Sequence, residues 1–259
     1  MKLVAGILLG ILTYAAAAFA GAGDECGVAA HLVHADAAMP RVATAIAKSK
    51  SLNVVVVGTT SSTLPGAGGQ ALAYPARLEI ALQKRLPGVA VKVISMAKPR
   101  QTAQEMADGF AKILKDEKPA LVVWQTGTAD AMRGIGAENF QATLEGAVDK
   151  LQAGGADVIF MNMQYSPRTD AVISTVAYAD AIRWVALEHT LNLFDRHGVM
   201  RLWSELGTFD LLAATKSLDT AAKVHDCIGR LLASLIVEAA TTDPAAPIDP
   251  IAPKEDKRQ

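Results

Sequence analysis

The sequence predicts an α/β protein: a three-layer α/β/α sandwich around a central parallel sheet. Three observations carry this. Short apolar runs alternate with longer amphipathic stretches along most of the chain. The runs are apolar on both faces, as strands covered by helices on both sides require. The 259 residues are 51% hydrophobic and 20% charged, enough for a substantial core and unlike a disordered chain.

Taken in order, Leu52 to Val57 reads as a buried strand closed by Gly58. Tyr74 to Leu86 carries apolar residues at Leu78, Ile80, Leu82 and Leu86 with Pro75 near its start, which suits a helix. Val89 to Ile94 is a second strand and Thr102 to Leu114 a second helix. Ala120 to Trp124 is a third strand, followed by a helix from Asn139 to Ala153 that Gly154-Gly155 ends. Asp157 to Met161, a long helix from Ile173 to His189, a short strand from Leu191 to Asp195 and a last helix from Ala222 to Ala239 complete the pattern. In such sheets ligands meet the loops after the strands. The loops after Val57, Ile94, Trp124 and Met161, and the segment before the last helix, are therefore the places for a site.

The ends read differently. Lys2, an apolar run from Leu3 to Ala18 and Ala18-Phe19-Ala20 before Gly21 form the pattern of a cleaved signal peptide, here residues 1–20, rather than of an anchor helix. An N-terminal segment, 21–50, precedes the domain of 51–240. A Pro-rich tail, 241–259, with Pro244, Pro247, Pro250 and Pro253, is expected to be extended and solvated. Export implies a periplasmic or secreted protein with no stable membrane span after cleavage. In an oxidising compartment Cys26 and Cys227 read as a disulfide that closes about 200 residues, worth about 3–5 kcal/mol in the chain-entropy model. The formal net charge of −1 and the lack of a long basic cluster exclude an electrostatic nucleic-acid footprint.

The same loops carry a resemblance. Val54 to Pro75, VVVVGTTSSTLPGAGGQALAYP, resembles the first block of a periplasmic subgroup of the SGNH (GDSL-type) esterases, in which a strand ends in Gly-Ser/Asp-Ser-x-Thr and a Gly-rich loop leads to Tyr-Pro. Trp124 to Asp130, WQTGTAD, is similar to that family's Gly-x-Asn-Asp block. Gln164-Tyr165-Ser166-Pro167 and Cys227 with its helix are also similar, so the resemblance covers about Leu52 to Ile236. It implies a flavodoxin-like SGNH-hydrolase fold. It also implies a site at four positions: the nucleophilic Ser falls on Thr60, the oxyanion Gly on Ala97, the oxyanion Asn on Ala129 and the base His on Asp219, with its supporting Asp on Lys216. Every one of these side chains is replaced. Thr adds a methyl that stiffens χ1 beside the hydroxyl. Loss of one oxyanion donor costs roughly 100- to 1000-fold in rate. A carboxylate with an ordinary pKa is a poor base for an alcohol.

Two replacements for the lost groups present themselves, Ser61 as a shifted nucleophile and His225 as a displaced base, against the plainer readings of a turn serine and a structural histidine. Ser62 reads as a turn residue as well. His189 and His197 read as packing or surface groups. His31 and His34 lack a third metal ligand. Lys98, Arg100 and Lys216 could converge to favour an anion, or be ordinary solvated cations. Gly66-Ala67-Gly68-Gly69 lacks the Lys-Ser/Thr of a P-loop and the third glycine of a dinucleotide loop, so no cofactor is expected. The sequence thus points to an exported, catalytically silent relative of the esterases, a pseudoenzyme. It would act as an accessory subunit for a partner protein or bind a small anionic or carbohydrate ligand. The alternative is an active esterase or deacetylase on envelope carbohydrate or lipid esters, working through Thr60 or Ser61 with His225.

Overall fold

A computed structural model describes residues 26–211 and 218–242. Five parallel strands form one sheet: β1 (Ser51–Val57), β2 (Ala90–Ser95), β3 (Leu121–Gln125), β4 (Asp157–Met161) and β5 (Asn192–Phe194). They lie in the order β2-β1-β3-β4-β5, so the chain reverses its direction of travel across the sheet between β1 and β3. The helices are α1 (Tyr74–Arg85), α2 (Ala103–Ala107), α3 (Phe110–Glu117), α4 (Ala137–Ala153), α5 (Val176–Glu188), α6 (Arg196–Glu205) and α7 (Asp219–Thr241), with a helical stretch, Pro40–Thr44 and Ala45–Ser49, before β1 and shorter turns between the others.

The two-residue period of β1 sorts the core into two layers. Val54 and Val56 face α1, α6 and α7, where Leu78, Leu82, Trp203, Ile228 and Leu232 are buried. Val55 and Val57 face α2 to α5, where Phe110, Phe140, Leu144 and Ile182 are buried. The sandwich therefore has the three layers that the apolar runs demand. Helices α1 and α7 approach closely because of Gly229: a Cβ there would stand 2.7 Å from the Cβ of Arg77 and 2.8 Å from the amide of Leu78.

Most element boundaries fall within a few residues of those the sequence gives, with three differences. The helix expected over Thr102 to Leu114 is two helices, broken at Asp108-Gly109. Thr102 starts the first with a capping box, its side chain accepting from the Glu105 amide while Glu105 reaches back. The long helix begins at Val176 and not at Ile173, because Pro167–Asp170 form their own turn and a loop follows. The sequence reading also lacks α6, which follows β5 directly with Asp195 as its cap: the Asp195 side chain accepts from the Gly198 amide.

Cys26 and Cys227 are joined in a disulfide, with Cα atoms 5.1 Å apart and a sequence separation of 201. It ties the start of the described chain to the third turn of α7. Arg230 reaches both sulfurs. Among the described residues no helix is long and apolar enough to cross a membrane. The signal-peptide segment, Lys216 and the Pro-rich stretch from 243 lie outside the described residues.

Candidate active site

The reversal point between β1 and β3 is where a ligand crevice forms in an open α/β sheet, and a polar network fills it. Strand β1 ends at Gly58, and Thr60–Ser62 make a single 3-10 turn. Gly58 is required there: a Cβ would come within 2.3 Å of Ser62 Oγ and 3.1 Å of Gln125 Oε1. Gln125, the last residue of β3, is fully buried. Its Oε1 accepts from Thr59 N at 3.1 Å, Thr59 Oγ1 at 3.2 Å, Ser61 Oγ at 3.1 Å and Ser62 Oγ at 3.2 Å. The amide donor fixes which end of the carboxamide points at the turn. Ser62 also bonds Tyr74 Oη at 2.9 Å. Burial raises the Tyr74 pKa, with Arg196 and the Ser62 bond acting the other way. The Tyr74 phenol is thus a neutral structural group and not a base.

These contacts decide what the serines can do. A carboxamide oxygen accepts a hydrogen bond but does not take the proton. Ser61 and Ser62 are anchored to the end of β3 by a group that cannot activate them. Thr60, on which the resemblance sets the nucleophile, is exposed at the tip of the turn, while Ser62 is buried. His225 lies in the second turn of α7 and is 5% exposed. Its Nδ1 accepts from the backbone amide of Tyr74 at 3.0 Å, so it caps the first turn of α1. Burial, with help from the nearby Arg196 cation, pushes its pKa down to about 3. The imidazole is therefore neutral and committed through Nδ1.

The other expected positions are placed as follows. Ala97 sits just past β2, between Met96 N, which donates to Val56 O, and Lys98 N, which donates to Gly58 O. Ala129 is buried in the short helix Thr128–Met132 that follows β3. Its neighbour Asp130 is buried, accepts from the Ala103 amide through both oxygens and so holds the start of α2; burial raises its pKa. Asp219 is the first residue of α7 and is exposed. The loops after β1, β2 and β3 thus lie on adjacent strands at one end of the sheet. Lys98 lines a 230 Å³ cavity together with Lys112, Glu105, Asp116 and Glu117, so charge there is mixed. The Arg100 carbonyl accepts from Arg133.

The residue that sequence reasoning missed is Arg196. It is wholly buried, with Nη1 donating to the Ser61 carbonyl at 2.9 Å, Nη2 to Gln164 Oε1 at 3.1 Å and the guanidinium 5.5 Å from the Tyr74 ring centroid. No carboxylate pairs with it among the described residues, and burial lowers its pKa to about 10. Its position, one residue past an acidic helix cap, was the available signal, but seeing it required recognising α6. Gln125 was visible in the WQTGTAD block and passed over because the family's motif assigns it no role.

A model of the non-GDSL lipase-like family matches residues 25–242. The chain belongs to the non-GDSL lipase-like family. Esterase TesA of Pseudomonas aeruginosa is 35% identical over 91 residues, a stretch that spans 33% of this chain and 44% of that protein. The crystal structure of TesA superposes with a TM-score of 0.55 at 23% identity, covering 71% of this chain and 99% of TesA. A two-domain esterase active on acetylated mannans gives a TM-score of 0.64 at 15% identity, covering 85% of this chain and 58% of that one. A catalytic mutant of an acetylxylan esterase from Geobacillus stearothermophilus gives 0.56 at 15% identity, covering 71% and 94%. These likenesses show a shared fold and agree with the parallel sheet described above.

Proposed function

We propose that this chain is an exported, non-hydrolytic member of its family that works by binding a ligand or a partner protein in the periplasm. The observation that carries this is the commitment of the hydroxyls beside the family nucleophile position. Thr59, Ser61 and Ser62 all donate to Gln125 Oε1, and the nearby imidazole, His225, is buried and capping α1. Thr60, Ala97, Ala129 and Asp219 replace the groups that the family's acyl transfer uses. A triad needs a base in contact with the nucleophile and donors aimed at the oxyanion, and this end of the sheet is organised for rigidity. The disulfide between Cys26 and Cys227 supports the exported location, because such bonds persist in oxidising compartments.

The test is hydrolysis of p-nitrophenyl acetate and butyrate by the purified chain beside Thr60→Ala, Ser61→Ala and His225→Gln, together with labelling by a fluorophosphonate probe. The expected result is no labelling and wild-type turnover equal to that of the variants. Turnover that any one substitution abolishes would make the protein an esterase.

A further inference from the structure

We propose that Arg196 and Gln125 enclose a seat for a single small anion of halide size beneath the turn Thr60–Ser62. The inference goes beyond the proposed function and does not depend on it. It starts from a charge that the described residues do not balance. Arg196 is wholly buried, and a guanidinium at neutral pH is cationic and rich in N–H donors. Nη1 donates to the Ser61 carbonyl at 2.9 Å and Nη2 to Gln164 Oε1 at 3.1 Å, both neutral acceptors. Nε has no partner among the described residues. Asp195, its neighbour in sequence, is engaged elsewhere: it accepts from Asn162 Nδ2 at 2.6 Å and from the Gly198 amide at 2.9 Å, with Arg183 at 3.6 Å. Tyr74 and His225, the titratable side chains beside Arg196, are held neutral by burial. An uncompensated positive charge therefore stands in the interior, where a lone charge is costly and is as a rule paired.

A second buried donor accompanies it. The Gln125 Oε1 collects the donors of the turn, while its Nε2, also buried, has no partner among the described residues. Orphaned buried donors of this kind are rare and call for a water or an ion. A circuit of contacts brings the two side chains together. Along one arm Gln125 Oε1 meets Ser61 Oγ at 3.1 Å and the Ser61 carbonyl meets Arg196 Nη1. Along the other Gln125 Oε1 meets Ser62 Oγ at 3.2 Å, Ser62 Oγ meets Tyr74 Oη at 2.9 Å, and the Tyr74 ring centroid lies 5.5 Å from the guanidinium carbon. The unpaired groups on this circuit, Arg196 Nε and Gln125 Nε2, are both donors, and the charge beside them is positive. That combination recognises an anion. A water meets the hydrogen-bond count but leaves the charge unbalanced. Both side chains are 0% exposed, so the ion must leave its hydration shell behind, which chloride or bromide does more readily than phosphate or sulfate.

The experiment is thermal melting of the purified chain at neutral pH and constant ionic strength. Exchanging about 200 mM sodium gluconate for the same concentration of sodium chloride should raise Tm by at least about 3 °C, because the ion binds the folded chain alone. Sodium bromide should act as the chloride does. The salts screen surface charge equally, so the difference reads a specific seat. The chloride NMR line should broaden in the presence of the chain and narrow again when bromide is added. Gln125→Glu keeps an accepting oxygen for the turn and sets a negatively charged oxygen in place of Nε2. It should pair with Arg196 and abolish both the Tm difference and the line broadening, and Arg196→Gln should abolish them as well. Circular dichroism confirms that each variant is folded. Equal Tm in gluconate and chloride, the result of a buried water only, would overturn the proposal, as would a folded Gln125→Glu or Arg196→Gln chain that keeps the chloride response. If Arg196→Gln does not fold, the wild type and Gln125→Glu decide. Ester hydrolysis is read separately: turnover would sink the proposed function and leave the chloride result standing, whereas loss of the chloride response alone sinks this seat.

Discussion

His225 makes the fold sensitive to acid in a way that can be isolated. Its pKa is about 3 in the folded chain and near 6.5 when unfolded. The folded state therefore refuses a proton that the unfolded state accepts. The stability this group contributes is complete above pH 6.5 and is lost as pH falls toward 3. Each pH unit in that window removes about 1.4 kcal/mol, so moving from pH 7 to 4.5 should cost about 2.5 kcal/mol through this one imidazole. For a chain of this size that corresponds to about 5–10 °C in Tm. The perturbation is His225→Gln, which keeps an acceptor for the Tyr74 amide but cannot titrate. Urea unfolding of both proteins at pH 7 and 4.5 gives a double difference in which every carboxylate common to the two cancels. The variant is expected to lose about 2.5 kcal/mol less than the wild type over that interval. If both lose the same amount to within about 0.5 kcal/mol, His225 is not held neutral by the fold, and the argument against it as a base collapses.

Asp157 acts with the opposite sign. Burial raises its pKa to about 6 although it accepts from the Arg41 and Val42 amides, so the folded state favours the protonated acid, and stability is lost as pH rises through 6. Asp157→Asn keeps the accepting oxygen and should gain about 1–2 kcal/mol at pH 7.5, discounted for partial solvent screening, and nothing at pH 4, by the same urea assay. Gln125→Leu leaves the buried Thr59 amide without its acceptor and should cost about 1–3 kcal/mol from that group alone, measured by calorimetric melting. Arg196→Met removes the cation that helps depress His225, so the imidazole titration followed by NMR should move up. Cys26→Ser with Cys227→Ser should cost about 3–5 kcal/mol and expose the chain near residue 26 to limited proteolysis.

The fold was legible because its evidence is local. Four valines in a row at Val54 to Val57 cannot serve an exposed strand, and Gly154-Gly155 stops a helix wherever it occurs. The break within Thr102 to Leu114 and the presence of α6 were harder. The break falls at Asp108-Gly109, inside a stretch whose apolar spacing is helical throughout, and α6 depends on a cap, Asp195, that is held by Asn162. The candidate site divides the same way. The resemblance, not composition or periodicity, is what singled out Thr60, Ala97, Ala129 and Asp219. Nothing in the spacing shows that Gln125 collects the hydroxyls of the turn, or that an arginine 135 residues from Ser61 holds that turn's carbonyl. Such pairings exist only once the strands are ordered.

Arg196 is the buried cross-link at this end of the sheet. A buried charge with no carboxylate among its described partners is costly, and here it is held by a carbonyl, a carboxamide and the face of Tyr74. Those three contacts tie together the loop after β1, the loop after β4 and the start of α1. Gln125 ties the loop after β1 to β3, and His225 ties α7 to α1. An esterase holds an imidazole in hydrogen-bond contact with its nucleophilic hydroxyl. In this chain the hydroxyls and the imidazole are drawn into cross-links between elements. On the proposed non-hydrolytic reading, Thr60→Ser alone should leave ester turnover unchanged, because the imidazole near this turn, His225, is engaged with the Tyr74 amide.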